Sequence, residues 1–190
     1  MKQIQGAEAT VTIKEKEVEK DRKKKQYRHP ELDKRIRTER NKQEARVLQK
    51  ARQNGVKAPE VVEESETEFK MQKIKGKQLK QIIEEQPSLI EELAVQVARL
   101  HSVDIIHGDL TTSNAIAQDQ EVYMIDFGLA YHSERVEDKA VDLHLLKNIL
   151  ETSHADKEEL WSLFSEKYGE EGSEEVLDKL PEIEERARYK

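Results

Sequence analysis

Apolar positions along the chain change period several times, and each change marks an element. Residues 3–22 alternate weakly, with Ala9, Val11 and Ile13 two apart, which predicts two or three short strands with a turn at Gly6. Pro30 then opens a helical pattern at a first-turn position where its missing N–H costs nothing. Leu32, Ile36, Ala45, Leu48 and Ala51 form the broken apolar stripe of a helix over 30–54, and Gly55 is its natural stop. Val61-Val62 and residues 69–74 predict a second pair of strands, ending at Gly76. Beyond it Ile90, Leu93, Ala94, Val97, Ala98 and Leu100 recur at helical spacing, so a buried helix is expected to end near Ser102. Short strands are expected near 115–116 and 122–125, and helices at roughly 139–151, 156–167 and 173–188. A strand-rich first half and a mostly helical second half predict an α+β, two-lobed fold. The expected lobes are 1–75 and 76–190, with the boundary near 75–79.

Composition narrows the setting. At 190 residues the chain suffices for one compact domain or two small lobes sharing a cleft. Charged residues make up 38% against 35% hydrophobic, a level that hints at disorder, but the regular apolar spacing argues for a folded protein. Without cysteine there is neither a disulfide framework nor a thiolate zinc site. No apolar run approaches the roughly 20 residues needed to span a bilayer, and the polar start is no signal peptide, so a cytoplasmic, non-membrane protein is expected. The net charge of −7 hides an asymmetry. Residues 1–60 hold 18 Lys and Arg against 10 Asp and Glu, a net of +8, whereas 61–190 hold 15 against 30, a net of −15. The basic half faces either an acidic partner, such as nucleotide or RNA, or simply solvent.

Two short strings carry the chemistry: His107-Gly108-Asp109-Leu110-Thr111-Thr112-Ser113-Asn114 and Ile125-Asp126-Phe127-Gly128. Phosphoryl transfer needs a carboxylate to accept or orient the nucleophile's proton and hard oxygen ligands for Mg²⁺ on the phosphates. Asp109 and Asn114, five apart in one tight loop, can supply the carboxylate and one metal ligand. Asp126, twelve residues further across a strand hairpin, can return to the same metal. This is the spacing of a kinase catalytic loop and its DFG segment. Either string alone is ordinary turn chemistry; both in this order, after an apolar helix and with strands between, are specific.

With those strings stand IDFGLA at 125–130, EDKAVDL at 137–143, GAEA at 6–9, KDRKKKQYRHP at 20–30, EAR at 44–46 and MQKIKG at 71–76. Together they resemble the atypical serine/threonine kinase subunit of the KEOPS tRNA-modification complex, over nearly the whole chain. The resemblance implies a minimal two-lobed kinase fold using ATP and Mg²⁺, with catalytic loop 107–114, DFG 126–128 and a basic tail at 186–190. It makes Asp109 the catalytic base, and Asn114 and Asp126 the magnesium ligands. Lys20 becomes the lysine on the α and β phosphates, and Glu44 its helix partner. Gly6, Ala7, Glu8 and Ala9 would form a reduced phosphate loop. The hinge would run from Met71 through Gln72 to Ile74, its backbone reading adenine. Asp142 is expected to brace the catalytic loop, and His107 to be structural. On charge alone Arg22, Lys23, Lys24 or Lys25 could replace Lys20, and Glu39 could replace Glu44.

The implied activity is that of an ATPase and serine/threonine kinase required for threonylcarbamoyladenosine on tRNAs that read codons starting with A. The implied partners are a threonylcarbamoyltransferase subunit on the C-terminal lobe, a small regulatory subunit on the N-terminal lobe, and tRNA through the assembly. Arg22, Lys23 and Lys24 are candidate tRNA contacts. The chain departs from an ordinary protein kinase where Gly108 and Thr111 replace the usual Arg and Lys, and where only eight residues separate Gly128 from Glu137. At the tail, Ala187 stands where the family places glycine between arginines. Two competitors follow: an ATP-binding scaffold without turnover, and a RIO-like or small-molecule kinase. The intact Asp126-Phe127-Gly128 counts against a RIO-type metal loop.

Overall fold

The computed structural model describes residues 2–6, 9–155 and 157–188. Strands β1 (Lys2–Gln5), β2 (Thr10–Ile13) and β3 (Glu17–Asp21) form an antiparallel meander. Helix α1 (Pro30–Gln53) follows, with Glu31 and Asp33 at its positive end and Lys50 and Arg52 at its negative end, both favourable to the helix dipole. Strands β4 (Val61–Glu64) and β5 (Glu68–Gln72) then complete a five-stranded sheet in the order β1-β2-β3-β5-β4, so β3 lies at its centre.

The chain leaves this sheet at Gly76. Strand β6 (Lys77–Gln78) pairs instead with β8 (Ala115–Gln118), beside β9 (Glu121–Met124), in a separate three-stranded sheet. Asp119 and Gln120 join β8 to β9 with φ of 51° and 66°, the left-handed pair of a two-residue hairpin turn. Between β6 and β8 come α2 (Leu89–Ser102) and β7 (Ile105–Ile106), and β7 pairs with β10 (Tyr131–His132). The chain ends in α3 (Val136–Ser153), α4 (Lys157–Glu171), α5 (Glu174–Asp178) and α6 (Leu180–Arg188). The single helix expected over 173–188 is thus two. Pro181 cannot donate to the carbonyl four residues back and clashes with it, which separates α5 from α6.

One hydrophobic core serves both halves. Leu48 and Ala51 of α1, with Val56 and Ala58, belong to the same buried cluster as Leu93, Val97 and Leu100 of α2, Val122 of β9 and Phe164 and Tyr168 of α4. Polar contacts follow the same route: the Met124 N–H donates to Lys57 O at 2.8 Å, and the Lys57 N–H to the Gln96 carboxamide at 2.7 Å. The two sheets therefore share a core in which each fully buried Leu contributes about 2 kcal/mol.

Gly76 sits at the passage between the sheets, where a Cβ would lie 2.0 Å from the Ala117 carbonyl oxygen. Because the obstacle is backbone in the β6–β8 ladder, Gly76→Ala should cost about 3 kcal/mol. Urea denaturation reads this as a lower midpoint at unchanged slope. A loss under 0.5 kcal/mol would show that the passage has room to adjust.

Candidate active site

Strand alternation brings the first part of the site together. In β3, Lys20 points inward between Val11 of β2 and Phe69 of β5, while its neighbour Asp21 faces solvent. The Lys20 Nζ lies 2.6 Å from Glu44 Oε1 and 2.7 Å from Asp126 Oδ1, joining the central strand, α1 and the DFG turn. The Lys20 and Glu44 side chains are only 7% and 3% exposed, against 50% for Asp126, so the pair is buried and the second carboxylate lies at its mouth. Glu39, the other candidate partner, is exposed and lies near Arg35 instead.

The run Arg22–Lys25 does not act as one patch. Arg22 is 3% exposed and its Nη2 lies 2.5 Å from Glu44 Oε2, which removes it from the candidate tRNA contacts. Lys23 and Lys24 are exposed, and the backbone of Lys25 donates to Asp33 Oδ1. The signal that singles out Arg22 is its spacing: two residues past Lys20 in extended chain returns to the same face.

The second part is a loop held by its own backbone. Asp142 of α3 accepts from the N–H of His107 at 2.8 Å, the N–H of Gly108 at 2.9 Å and His101 Nε2 at 3.2 Å. The His101 Nδ1 in turn lies 2.9 Å from the Tyr168 hydroxyl of α4. Burial acts to raise the Asp142 carboxyl, but His101, His107 and these donors outweigh it and hold the group below its ordinary 3.8. Neither His101 nor Tyr168 carries a sequence motif; both sit in apolar helix stripes. Gly108 has φ of +76° and no room for a Cβ, which would meet the Leu129 carbonyl at 2.5 Å.

Within the loop, the Asn114 Nδ2 donates to Asp109 Oδ2 at 2.8 Å and to Asp109 O at 2.9 Å. The two strings then lock together. The Ile125 N–H donates to Asn114 O at 2.9 Å, while Ile125 O lies 3.1 Å from His107 Nε2. Asp126 follows with φ of +60°, a left-handed conformation for a non-glycine residue of the kind found at functional turns. Burial acts to raise its carboxyl, but the Lys20 ammonium and the Gly128 N–H hold it below 3.8.

The remaining expected site residues are placed with less detail. The Gly6 N–H donates to Ala9 O at 2.9 Å, closing the tip of the first hairpin, and Ala7 and Glu8 lie outside the described residues. Met71 and Gln72 end β5. The N–H groups of Gln72 and Lys73 donate to Glu60 O and Lys16 O, and Ile74 beyond them is buried. Arg186 of the tail pairs with Glu137 at 2.6 Å and with Glu182, which commits its charge inside the chain; the Arg188 side chain, Tyr189 and Lys190 lie outside the described residues.

The residues fit a magnesium ion. The donor set is one carboxylate, Asp126, and one carboxamide, Asn114, whose nitrogen is spent on Asp109. Among the described residues no group of three or more His, Cys, Asp or Glu forms a metal cage. Two hard oxygens suit a cation that brings waters and substrate phosphates as its other ligands, as Mg²⁺ does.

Comparison with known proteins identifies the family and the fold. The RIO domain family matches residues 5–149, so the contrast drawn from Asp126-Phe127-Gly128 does not separate the chain from RIO-type proteins. A KEOPS complex subunit Bud32 from Pyrococcus abyssi is 39% identical over 208 residues, covering 98% of this chain and 94% of that one. A probable serine/threonine-protein kinase BUD32 homolog from Archaeoglobus fulgidus is 40% identical over 190 residues, covering 100% and 96%. A probable bifunctional tRNA threonylcarbamoyladenosine biosynthesis protein from Methanosarcina acetivorans is 43% identical over 191 residues, covering 97% of this chain; the chain spans 35% of that relative's length. Among solved structures, the Rio2 kinase–ADP/Mg²⁺–phosphoaspartate complex from Chaetomium thermophilum superposes with a TM-score of 0.68 at 15% identity, covering 100% and 71%. The fold is protein-kinase-like.

The lowered pKa of Asp142 has a definite consequence. A carboxyl depressed by folding stabilises the fold above its unfolded value, near pH 4, and that contribution disappears as pH falls through the folded value. Asp142→Asn should cost about 3 kcal/mol at pH 7 and flatten the decline of stability below pH 4. Equal pH slopes for both proteins in acid denaturation would contradict the assignment.

Proposed function

The chain belongs to the RIO domain family and to the Bud32 family, and from that membership we propose that it is a Mg²⁺-ATP-dependent atypical serine/threonine kinase and ATPase that serves threonylcarbamoyladenosine modification of tRNA. The observation that carries this reading is the convergence of Lys20, Glu44 and Asp126 beside a loop in which Asp109 and Asn114 are hydrogen-bonded to each other.

Each residue has one task. The Asn114 bond fixes the Asp109 carboxylate, and Asp109 accepts or orients the proton of the attacking hydroxyl or water. Lys20 is a buried ammonium directed by Glu44 and carries charge to the nucleotide phosphates. Asn114 and Asp126 hold the metal, which when bound neutralises charge on those phosphates. The segment that begins at Gly6 and ends at Ala9 would cover the phosphates with backbone, and the Met71, Gln72 and Ile74 stretch would meet adenine.

The partners follow from membership and charge. The bifunctional relatives extend well beyond the third of their length shared here, which supports a partner of complementary activity; in this reading it is a threonylcarbamoyltransferase subunit on the C-terminal lobe. That lobe offers a groove of about 480 Å³ bordered by Lys147, Trp161, Leu177, Pro181 and Glu184. A small regulatory subunit takes the N-terminal lobe, and the assembly works in the cytoplasm. Exposed Lys23 and Lys24 are the cations left for tRNA on the β3–α1 segment.

Two measurements test this. Mg²⁺-dependent ATP hydrolysis should be stimulated by a threonylcarbamoyltransferase subunit with tRNA, and Asp109→Ala or Asp126→Ala should lower it by about 100-fold or more. Hydrolysis that survives both substitutions removes the catalytic assignment, and none in any mixture leaves a nucleotide-binding scaffold. Separately, the Lys23→Glu, Lys24→Glu double variant should weaken tRNA binding and reduce its salt slope by about 1 to 2. An unchanged slope would place tRNA elsewhere.

A further inference from the structure

Arg22 is held in place from every side. Its N–H donates to Thr67 O at 3.0 Å, extending the sheet pairing past the end of β3. Its carbonyl accepts from Arg37 Nη1 at 3.2 Å, and Arg37 is itself anchored through Nε to the fully buried Asp33 at 2.8 Å. Its side chain delivers Nη2 to Glu44 Oε2 at 2.5 Å, while Lys20 takes Glu44 Oε1 at 2.6 Å. Each oxygen of this buried carboxylate therefore has its own cation. The arrangement is not the cheapest way to fill the space, because the Arg22 Nε is buried with no hydrogen-bond partner among the described residues.

The charges explain why a second cation belongs there. Two cations, Lys20 and Arg22, stand against two anions, Glu44 and Asp126, and Lys20 is shared between both anions. If Lys20 were the sole counterion of Glu44, any phosphate group that drew its ammonium away would leave a buried carboxylate uncompensated, a strongly unfavourable state. With Arg22 in place, Glu44 keeps a second cation, a guanidinium whose planar fork is already seated on Oε2.

We propose that Arg22 is a positioning residue of the nucleotide site: it neutralises Glu44 independently, so that Lys20 can move its ammonium from Asp126 to the nucleotide phosphates while α1 stays in register. The inference deepens the kinase reading and rests on it. It distinguishes Arg22 from Lys23 and Lys24, which adjoin it in sequence and face solvent.

The test uses the full chain and Mg²⁺-ADP. Calorimetric titration of the wild type, Arg22→Gln and Arg22→Lys gives the Kd, and thermal melting without nucleotide gives stability. Arg22→Gln should raise the Kd by about tenfold or more, with Arg22→Lys in between. In a Glu44→Gln background, where no buried carboxylate needs neutralising, the Arg22→Gln change should move the Kd less than twofold. A lower melting temperature with an unchanged Kd would overturn the proposal and make Arg22 a structural ion pair only. If Arg22→Gln does not fold, Arg22→Lys decides: intermediate affinity supports the proposal and wild-type affinity overturns it. Failure of the wild type to bind Mg²⁺-ADP would overturn the nucleotide reading itself and this inference with it.

Discussion

A lysine ammonium held between two carboxylates from distant parts of the chain is the constraint that organises this molecule. Lys20 belongs to the central strand of the N-terminal sheet, Glu44 to α1, and Asp126 to the turn after β9. Glu44 is 24 residues from Lys20 and Asp126 is 106. A buried charge without partners is costly, so the sheet, the helix and the turn are energetically bound to one arrangement. That is a specificity constraint more than a stability gain, because desolvation offsets much of the attraction between buried charges.

The shared hydrophobic core makes such a constraint workable in a small protein. Had the two sheets owned separate cores, Lys20 would bridge mobile bodies and its distances would be set by their hinge. Instead Leu48 and Ala51 carry α1 into the cluster built on α2 and α4, and the Lys57 backbone ties the end of that helix to β9 and Gln96. Glu44, one turn before Leu48, inherits its position from this packing.

Much of this was legible from residues, and the illegible parts have physical reasons. The strings around Asp109 and Asp126 were readable as one candidate site because their residue types and spacing are restricted together, and the Ile125 bonds to Asn114 and His107 bring them side by side. The long elements were readable because ten or more residues express a period. The two-residue strands β6, β7 and β10 are too short to express any, and only their partners create them. Arg22 was submerged in a run of four cations, and the extended backbone past Asp21 is what splits that run into buried and exposed members. His101 and Tyr168 occupy apolar stripes where a polar tip looks incidental, until folding places them against Asp142. Pro181 was visible from the start, but the strength of the surrounding helical pattern masked the break it imposes.

The departures from an ordinary kinase can be understood in the same terms. Gly108 is enforced twice, by its left-handed backbone and by the Leu129 carbonyl that occupies the space of any Cβ. No side chain at that position could reach out to a phosphorylated loop. The loop itself has been consumed, since Tyr131 and His132 pair at once with Ile106 and Ile105, and α3 starts at Val136. What a swinging segment would contribute to loop geometry is supplied here by fixed contacts, with Asp142 on the His107 and Gly108 amides and Gln43 of α1 donating to Ala130 O at 3.0 Å. Such a site is assembled as the chain folds. Its geometry is then fixed by the fold itself, with no separate segment needed to order the His107 and Gly108 amides.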